Sequence, residues 1–297
     1  MKYIEITENL AKSFLPKRPL SGNKGTFGRA LAYIGSEKFP GAAYLAAEAM
    51  LRGGCGYTEI MGTGELIRGL LAKFPEAIYK NVSPTESLTD DEINTVTEAS
   101  LTANATLIGS GSGCSAALAR LTEKLISLDT KNILILDADA LNSIARYSDS
   151  SYLSGSKRKI ILTPHEMEFS RITGISTVEI SKNRMVTAAE FAKNHGVTVV
   201  LKGNRTVITD GDTTYVNTTG SSALAKGGSG DTLSGLIVSL SASSDAPTAD
   251  IAALACYIHG LAGDRLAEMY SEYGVTPSDL PREMAKVMKI LSASSDI

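Results

Sequence analysis

The chain has 297 residues, 43% of them apolar and 21% charged, with a net charge of −3 and a pI near 5.7. That length and apolar share suit one large α/β domain with a substantial core, and a weakly acidic chain without a Lys/Arg cluster has no electrostatic reason to bind nucleic acid. Cys55, Cys114 and Cys256 are an odd set without paired spacing, which argues against a disulfide framework or a zinc site; the N-terminus has no apolar core of signal-peptide length and no run of about 18 uncharged apolar residues occurs elsewhere, so a soluble, cytoplasmic protein is expected.

Short apolar runs at 30–35, 57–62, 105–110, 132–139, 159–164 and 197–203 read as strands, most of them ending in Gly, Pro or Asp. Stretches at 42–54, 115–128 and 179–196 carry apolar residues at three- and four-residue spacings and read as helices. Strands alternating with helices predict a mostly parallel sheet covered on both faces. Asp210 and Gly211, between two β-rich runs at 206–217, predict a late hairpin that turns the sheet antiparallel. From Asp231 onward the chain reads as helical, with a surface loop at 241–248 and Ser278 or Asp279 as the N-cap of the last helix.

Ligands of open α/β sheets sit at the carboxyl ends of the strands, so the polar and glycine clusters there are candidate site residues. "IGSGSG" (108–113), "DADALN" (137–142), "TPHEMEF" (163–169) and "KGNRT" (202–206) occupy such places, and a further cluster, "KGTFG" (24–28), precedes the first strand. The most informative segment is "SALAKGGSGDTLSGLI" (222–237), in which Gly227, Gly228 and Gly230 precede Asp231 at a helix start. Glycines let the backbone approach a ligand, and the helix adds the positive end of its dipole, which suits a phosphate or a developing oxyanion. Asp231 is then either a general base beside that anion site or an ordinary N-cap. "IGSGSG" is a tight turn rather than a dinucleotide fingerprint, because the third glycine is missing. Asp137 and Asp139 either hold water or metal or cap the following helix, and His165, with Glu168 on the same helical face, is either structural or part of a site. No spacing of His, Cys or carboxylates suggests a tight transition-metal site.

In this order, "KGTFGRALAYIGSEKFPGAA", "DADALN", "LTPHEMEFSRITG", "VVLKGNRTVI", "TTGSSALAKGGSGDTLSGLI", "HGLAGD" and "VTPSDLP" resemble the ADP/ATP-dependent NAD(P)H-hydrate dehydratase family, a branch of the ribokinase-like superfamily. The resemblance runs from about residue 15 to residue 291. It implies a ribokinase-like three-layer α/β/α sandwich over 1–297, without the N-terminal epimerase domain of larger members. It also implies repair of hydrated NADH and NADPH (NADHX and NADPHX) by phosphorylation of the hydroxyl and elimination of phosphate, giving AMP and phosphate from ADP.

In that family Asp231 would be the catalytic base and contact the substrate together with Ala42, Gly113 and His165. Gly228, Ser229 and Gly230 would form the anion hole, while Lys202, Gly203, Asn204, Arg205, Thr206 and Gly230 would hold ADP or ATP. Glu168 would order Mg2+ through water, and a homotetramer is implied. Asn23 replaces the family's usual His and Ser221 a frequent Asn. A ribokinase-type small-molecule kinase and a nucleotide sensor without turnover are the competing readings.

Overall fold

A computed structural model describes residues 2–293. Its ten strands are β1 (Ile4–Glu5), β2 (Arg29–Tyr33), β3 (Tyr57–Gly62), β4 (Ile78–Asn81), β5 (Ala105–Ile108), β6 (Ile133–Leu136), β7 (Ile160–Leu162), β8 (Thr198–Leu201), β9 (Val207–Thr209) and β10 (Thr214–Val216). They form one sheet in the order β1-β10-β9-β8-β7-β6-β5-β2-β3-β4. Only β9 runs against its neighbours, antiparallel to both β8 and β10, so the expected hairpin is present and the reversal lasts one strand. All six expected strands form; β3 runs through its terminal Gly62 and the other five stop short of their expected ends, β5 at Ile108 because Gly109 turns to φ 108°.

The helices are α1 (Glu8–Phe14), α2 (Pro40–Arg52), α3 (Gly64–Leu71), α4 (Asp90–Thr102), α5 (Ala116–Ile126), α6 (Ala138–Tyr147), α7 (Glu166–Thr173), α8 (Thr177–Lys182), α9 (Arg184–His195), α10 (Ser229–Ala242), α11 (Thr248–Gly274) and α12 (Leu280–Ala293). The expected helix over 179–196 is two helices, because Asn183 leaves helical space at φ −131°, ψ 32°. The expected loop at 241–248 shrinks to 243–247, since burial of Leu240, Ser241 and Ala242 keeps the end of α10 wound. Asp279 does not cap forward: its carboxylate reaches back to the Thr276 N–H (3.0 Å) and hydroxyl (2.7 Å).

Period-two alternation along the strands feeds two cores, which makes three layers. Ala30, Ala32 and Ile34 face α2, α10, α11 and α12, whereas Leu31 and Tyr33 face the core shared by α4, α5 and α6. Ile135 and Leu136 divide the same way one strand pair further on. No helix among the described residues is long and apolar enough to cross a membrane.

Two features shape the carboxyl edge of the sheet. The chain runs β2, β3, β4 toward one side and then returns to pair β5 on the other side of β2, so the strand order reverses between β2 and β5, where an open sheet leaves a crevice. The helix α10 packs closely on α2 because position 235 is glycine: a Cβ there would lie 2.4 Å from the Ala46 carbonyl oxygen. Gly235→Val is therefore expected to cost about 1–3 kcal/mol by overpacking, read as a lower Tm. A variant as stable as the parent would contradict this close approach.

Candidate functional site

The carboxyl ends of β5, β6, β7 and β8 deliver Gly109–Gly113, Asp137, Thr163–His165 and Lys202 to one edge of the sheet. Asp137 is 1% exposed and accepts from the Thr163 hydroxyl (2.7 Å), the Ser110 hydroxyl (2.8 Å) and Lys202 Nζ (3.0 Å). Burial alone would raise its pKa, but the ammonium and the hydroxyls outweigh that and hold the carboxyl below its usual range. Burial would likewise lower the Lys202 pKa, yet Asp137 and Glu168 push it up. Asp137 stands at the N-cap position of α6 without making a capping bond, so its carboxylate is committed to Lys202 instead. Asp139 accepts from the Gly113 N–H at 2.8 Å and pins the glycine turn.

Asp231 is the third residue of α10, which begins after Gly228 in the left-handed region at φ 103°. The N-cap position belongs to Gly228, so the N-cap reading of Asp231 is set aside. Burial, then the negative charges of Asp137, Asp139 and Glu168, raise its pKa to about 7 against the opposing pull of Lys202. A carboxyl half-ionised near neutrality is suited to take a proton from a hydroxyl. For a reaction that uses the ionised form, the rate is expected to fall as pH drops below about 7 and to level off above it. A profile of kcat/KM against pH that is flat from 5 to 8 would contradict that role.

His165 and Glu168 cap α7 reciprocally: the His165 Nδ1 accepts from the Glu168 N–H (3.1 Å), and a Glu168 oxygen accepts from the His165 N–H (2.9 Å). Burial, Lys202 and Arg171 lower the His165 pKa, and with Nδ1 accepting, the neutral ring carries its proton on Nε2, 3.3 Å from Glu168 Oε1. Burial raises the Glu168 pKa. Among the described residues no group of three or more His, Cys, Asp or Glu side chains is gathered to hold a metal.

A cleft of about 480 Å³ is lined by Lys202, Gly203, Asn204, Arg205, Thr206, Ser229 and Gly230. Arg184 steadies this loop by donating to the Leu201 (2.9 Å) and Lys202 (3.2 Å) carbonyls. The Ser229 N–H donates to the Lys226 carbonyl (3.2 Å), but the Ser229 hydroxyl is buried without a partner among the described residues, and the first-turn N–H groups at this end of α10 have no intrahelical acceptor. Gly228 lies behind it, where a Cβ would meet Leu45 Cδ1 at 2.4 Å.

The opposite wall, Thr219, Gly220, Ser221, His259 and Gly260, was not anticipated from sequence. "HGLAGD" held its signal, since Asp264 accepts from the Gly220 N–H at 2.8 Å. Burial lowers the His259 pKa to about 4; its neutral ring meets the Thr232 hydroxyl (3.1 Å), which donates to the Ser229 carbonyl (2.8 Å). Ala42 lies on the first turn of α2, where a Cβ on Gly111 would be 2.5 Å from the Ala42 Cβ, so Ala42 and the turn to Gly113 meet at the strand-order reversal. Asn23, at the first departure from the family pattern, folds into its own turn, its Oδ1 accepting from the Gly25 N–H at 2.9 Å. Ser221, at the second, stands in the cleft wall.

A family model described as NAD(P)H-hydrate dehydratase matches residues 31–286. The ADP-dependent (S)-NAD(P)H-hydrate dehydratase of Bacillus subtilis is 34% identical over 290 residues, 95% of this chain and 97% of that protein. The bifunctional NAD(P)H-hydrate repair enzyme Nnr of Moorella thermoacetica is 35% identical over 281 residues, and the chain spans only about half of it, 52%. A crystal structure of the Bacillus subtilis ADP/ATP-dependent NAD(P)H-hydrate dehydratase, co-crystallized with ATP and Mg2+, superposes with a TM-score of 0.86 at 31% identity, covering 98% of this chain and 99% of that one. A ribokinase-like superfamily protein from Enterococcus faecalis gives 0.84 at 26% identity, covering 97% and 96%.

Proposed function

Because the chain belongs to the NAD(P)H-hydrate dehydratase family and has the ribokinase-like fold, we propose that it uses ADP, or ATP, to dehydrate the S-epimer of hydrated NADH or NADPH. The observation that carries this reading is Asp231, a carboxyl with its pKa raised to about 7 at the start of α10, directly after Ser229 and Gly230 in the cleft wall.

Hydroxide is a poor leaving group, so the hydroxyl must first be converted into a better one. Asp231 takes the hydroxyl proton as the oxygen attacks the terminal phosphorus of the nucleotide; with ADP the departing group is AMP. The N–H groups of Gly228, Ser229 and Gly230, with the Ser229 hydroxyl, receive the charge on the transferred phosphoryl oxygens. The ring nitrogen's lone pair then expels phosphate with the original oxygen, and loss of a ring proton restores the double bond. Lys202, Gly203, Asn204, Arg205 and Thr206 hold the nucleotide, and Ala42, Gly113 and His165 hold the hydrate. The reading supplies Asp231 with a chemical use that a nucleotide sensor without turnover leaves unexplained.

Mg2+ fits this site as an ion carried on the nucleotide phosphates. Both Asp137 oxygens are engaged by Lys202 and hydroxyls, and by the family resemblance Glu168 would order the ion through water. Bound there, the ion neutralises phosphate charge. The unbroken sheet from β1 to β4 supports reading 1–297 as one such domain. The homotetramer and the cytoplasmic setting are carried by the family resemblance. Incubation with hydrated NADH, Mg2+ and ADP or ATP is expected to restore the absorbance of reduced nicotinamide. No recovery with either nucleotide, or a stable phosphorylated product, would overturn the proposal.

A further inference from the structure

A second cavity, of about 540 Å³, opens at the carboxyl ends of β2 and β3 between the first turns of α2 and α3. Tyr44, Leu66 and Leu70 give it apolar walls, and the only charged side chains among its lining residues are the exposed carboxylates of Glu37 and Glu65. Ser36 also lines it; this residue is 8% exposed and its hydroxyl has no partner among the described residues.

We propose that this cavity takes the adenosine end of the dinucleotide hydrate, and that its acidic rim makes the protein prefer hydrated NADH over hydrated NADPH. Such a subsite rests on the dehydratase reading. With the nicotinamide end beside Ala42 and Gly113, the rest of the dinucleotide must leave the crevice on one side. The β7–β8 side is occupied by the phosphate donor's cleft, whereas Gly41, next to Ala42, already lines the second cavity.

The chemistry of the walls agrees with that occupant. A purine is flat and largely apolar, which suits Tyr44 and Leu66. Carboxylates accept hydrogen bonds from ribose hydroxyls, as the acidic residue of nicotinamide-dinucleotide folds does. The same two carboxylates repel the 2′-phosphate that distinguishes NADPH, because like charges brought together disfavour the wrong ligand. The Ser36 hydroxyl gains the partner it lacks, which a buried polar group needs.

The test compares the S-hydrates of NADH, NADPH and reduced nicotinamide mononucleotide, which has no adenosine. The parent protein is expected to show kcat/KM about tenfold or more higher for hydrated NADH than for hydrated NADPH. Glu37→Gln combined with Glu65→Gln is expected to bring the two within about threefold, mainly by improving hydrated NADPH. Gly69 lines the cavity and a Cβ there meets nothing within 4 Å, so Gly69→Leu is the substitution chosen to narrow it. It is expected to raise KM for hydrated NADH about tenfold at unchanged kcat, and to leave the mononucleotide hydrate unaffected. Parent-like constants for all three hydrates in both variants would overturn the adenosine subsite alone. No turnover of any hydrate by the parent would overturn the dehydratase reading, and the subsite with it.

Discussion

Asp231→Asn is expected to lower kcat by about 10²–10⁴-fold, the usual contribution of a positioned general base, while ADP binding is retained. The amide keeps the size of the carboxyl and cannot take a proton. Its effect on stability should have the opposite sign. The folded pKa of Asp231 lies near 7, above the ordinary 3.8. Such a group contributes stability that is fully present below the unfolded value and lost as pH rises through the folded one. Ionising Asp231 beside Asp137, Asp139 and Glu168 is thus unfavourable in the absence of ligand, and the neutral amide removes that strain. Melting curves should show the variant at a higher Tm than the parent at pH 8, with the gap closing by pH 4. Calorimetric titration with ADP should show binding preserved. Full activity in this variant would refute the base assignment.

Lys202→Met is expected to cost about 3–5 kcal/mol of folding stability at neutral pH, because it leaves a buried carboxylate without its counter-charge. Asp137 keeps only the Thr163 and Ser110 hydroxyls as partners. The depressed pKa of Asp137 means that its contribution is present above the unfolded value and disappears as pH falls through the folded one. The penalty should therefore shrink on acidification, when Asp137 can protonate. Adding Asp137→Asn should recover part of the loss, which a double-mutant cycle by denaturant unfolding measures. Nucleotide affinity should fall as well, since Lys202 lines the cleft. Simple additivity of the two substitutions would show that the pair is not coupled as described.

Legibility in the sequence followed the local character of each signal. The six inner strands were readable because a strand buried on both faces leaves a short run of apolar residues. The edge strand β4 was not, since it is mostly exposed and carries no such run, and β1 is two residues held by pairing with β10. The glycines before Asp231 were readable as a place for an anion, because backbone freedom and a helix start are encoded within a few residues. The raised pKa of Asp231 was not, because it comes from burial and from Asp137, Asp139 and Glu168, which are far away in the chain. The Asp137–Lys202 pair, 65 residues apart, has no local signature either. Likewise, the wall of the cleft formed by Thr219, His259 and Gly260 joins two segments that only the packing of α11 brings together. A motif can thus mark where chemistry is held while the charge balance that tunes it depends on the fold.

The central claim is that phosphate is added to the hydrate's hydroxyl and then leaves with that oxygen. Hydrated NADH carrying ¹⁸O in its ring hydroxyl, turned over with ADP, tests this by mass spectrometry of the products. One AMP and one phosphate per NADH restored are predicted, with the label in the phosphate. Label released into water, with ADP consumed or not, would contradict it.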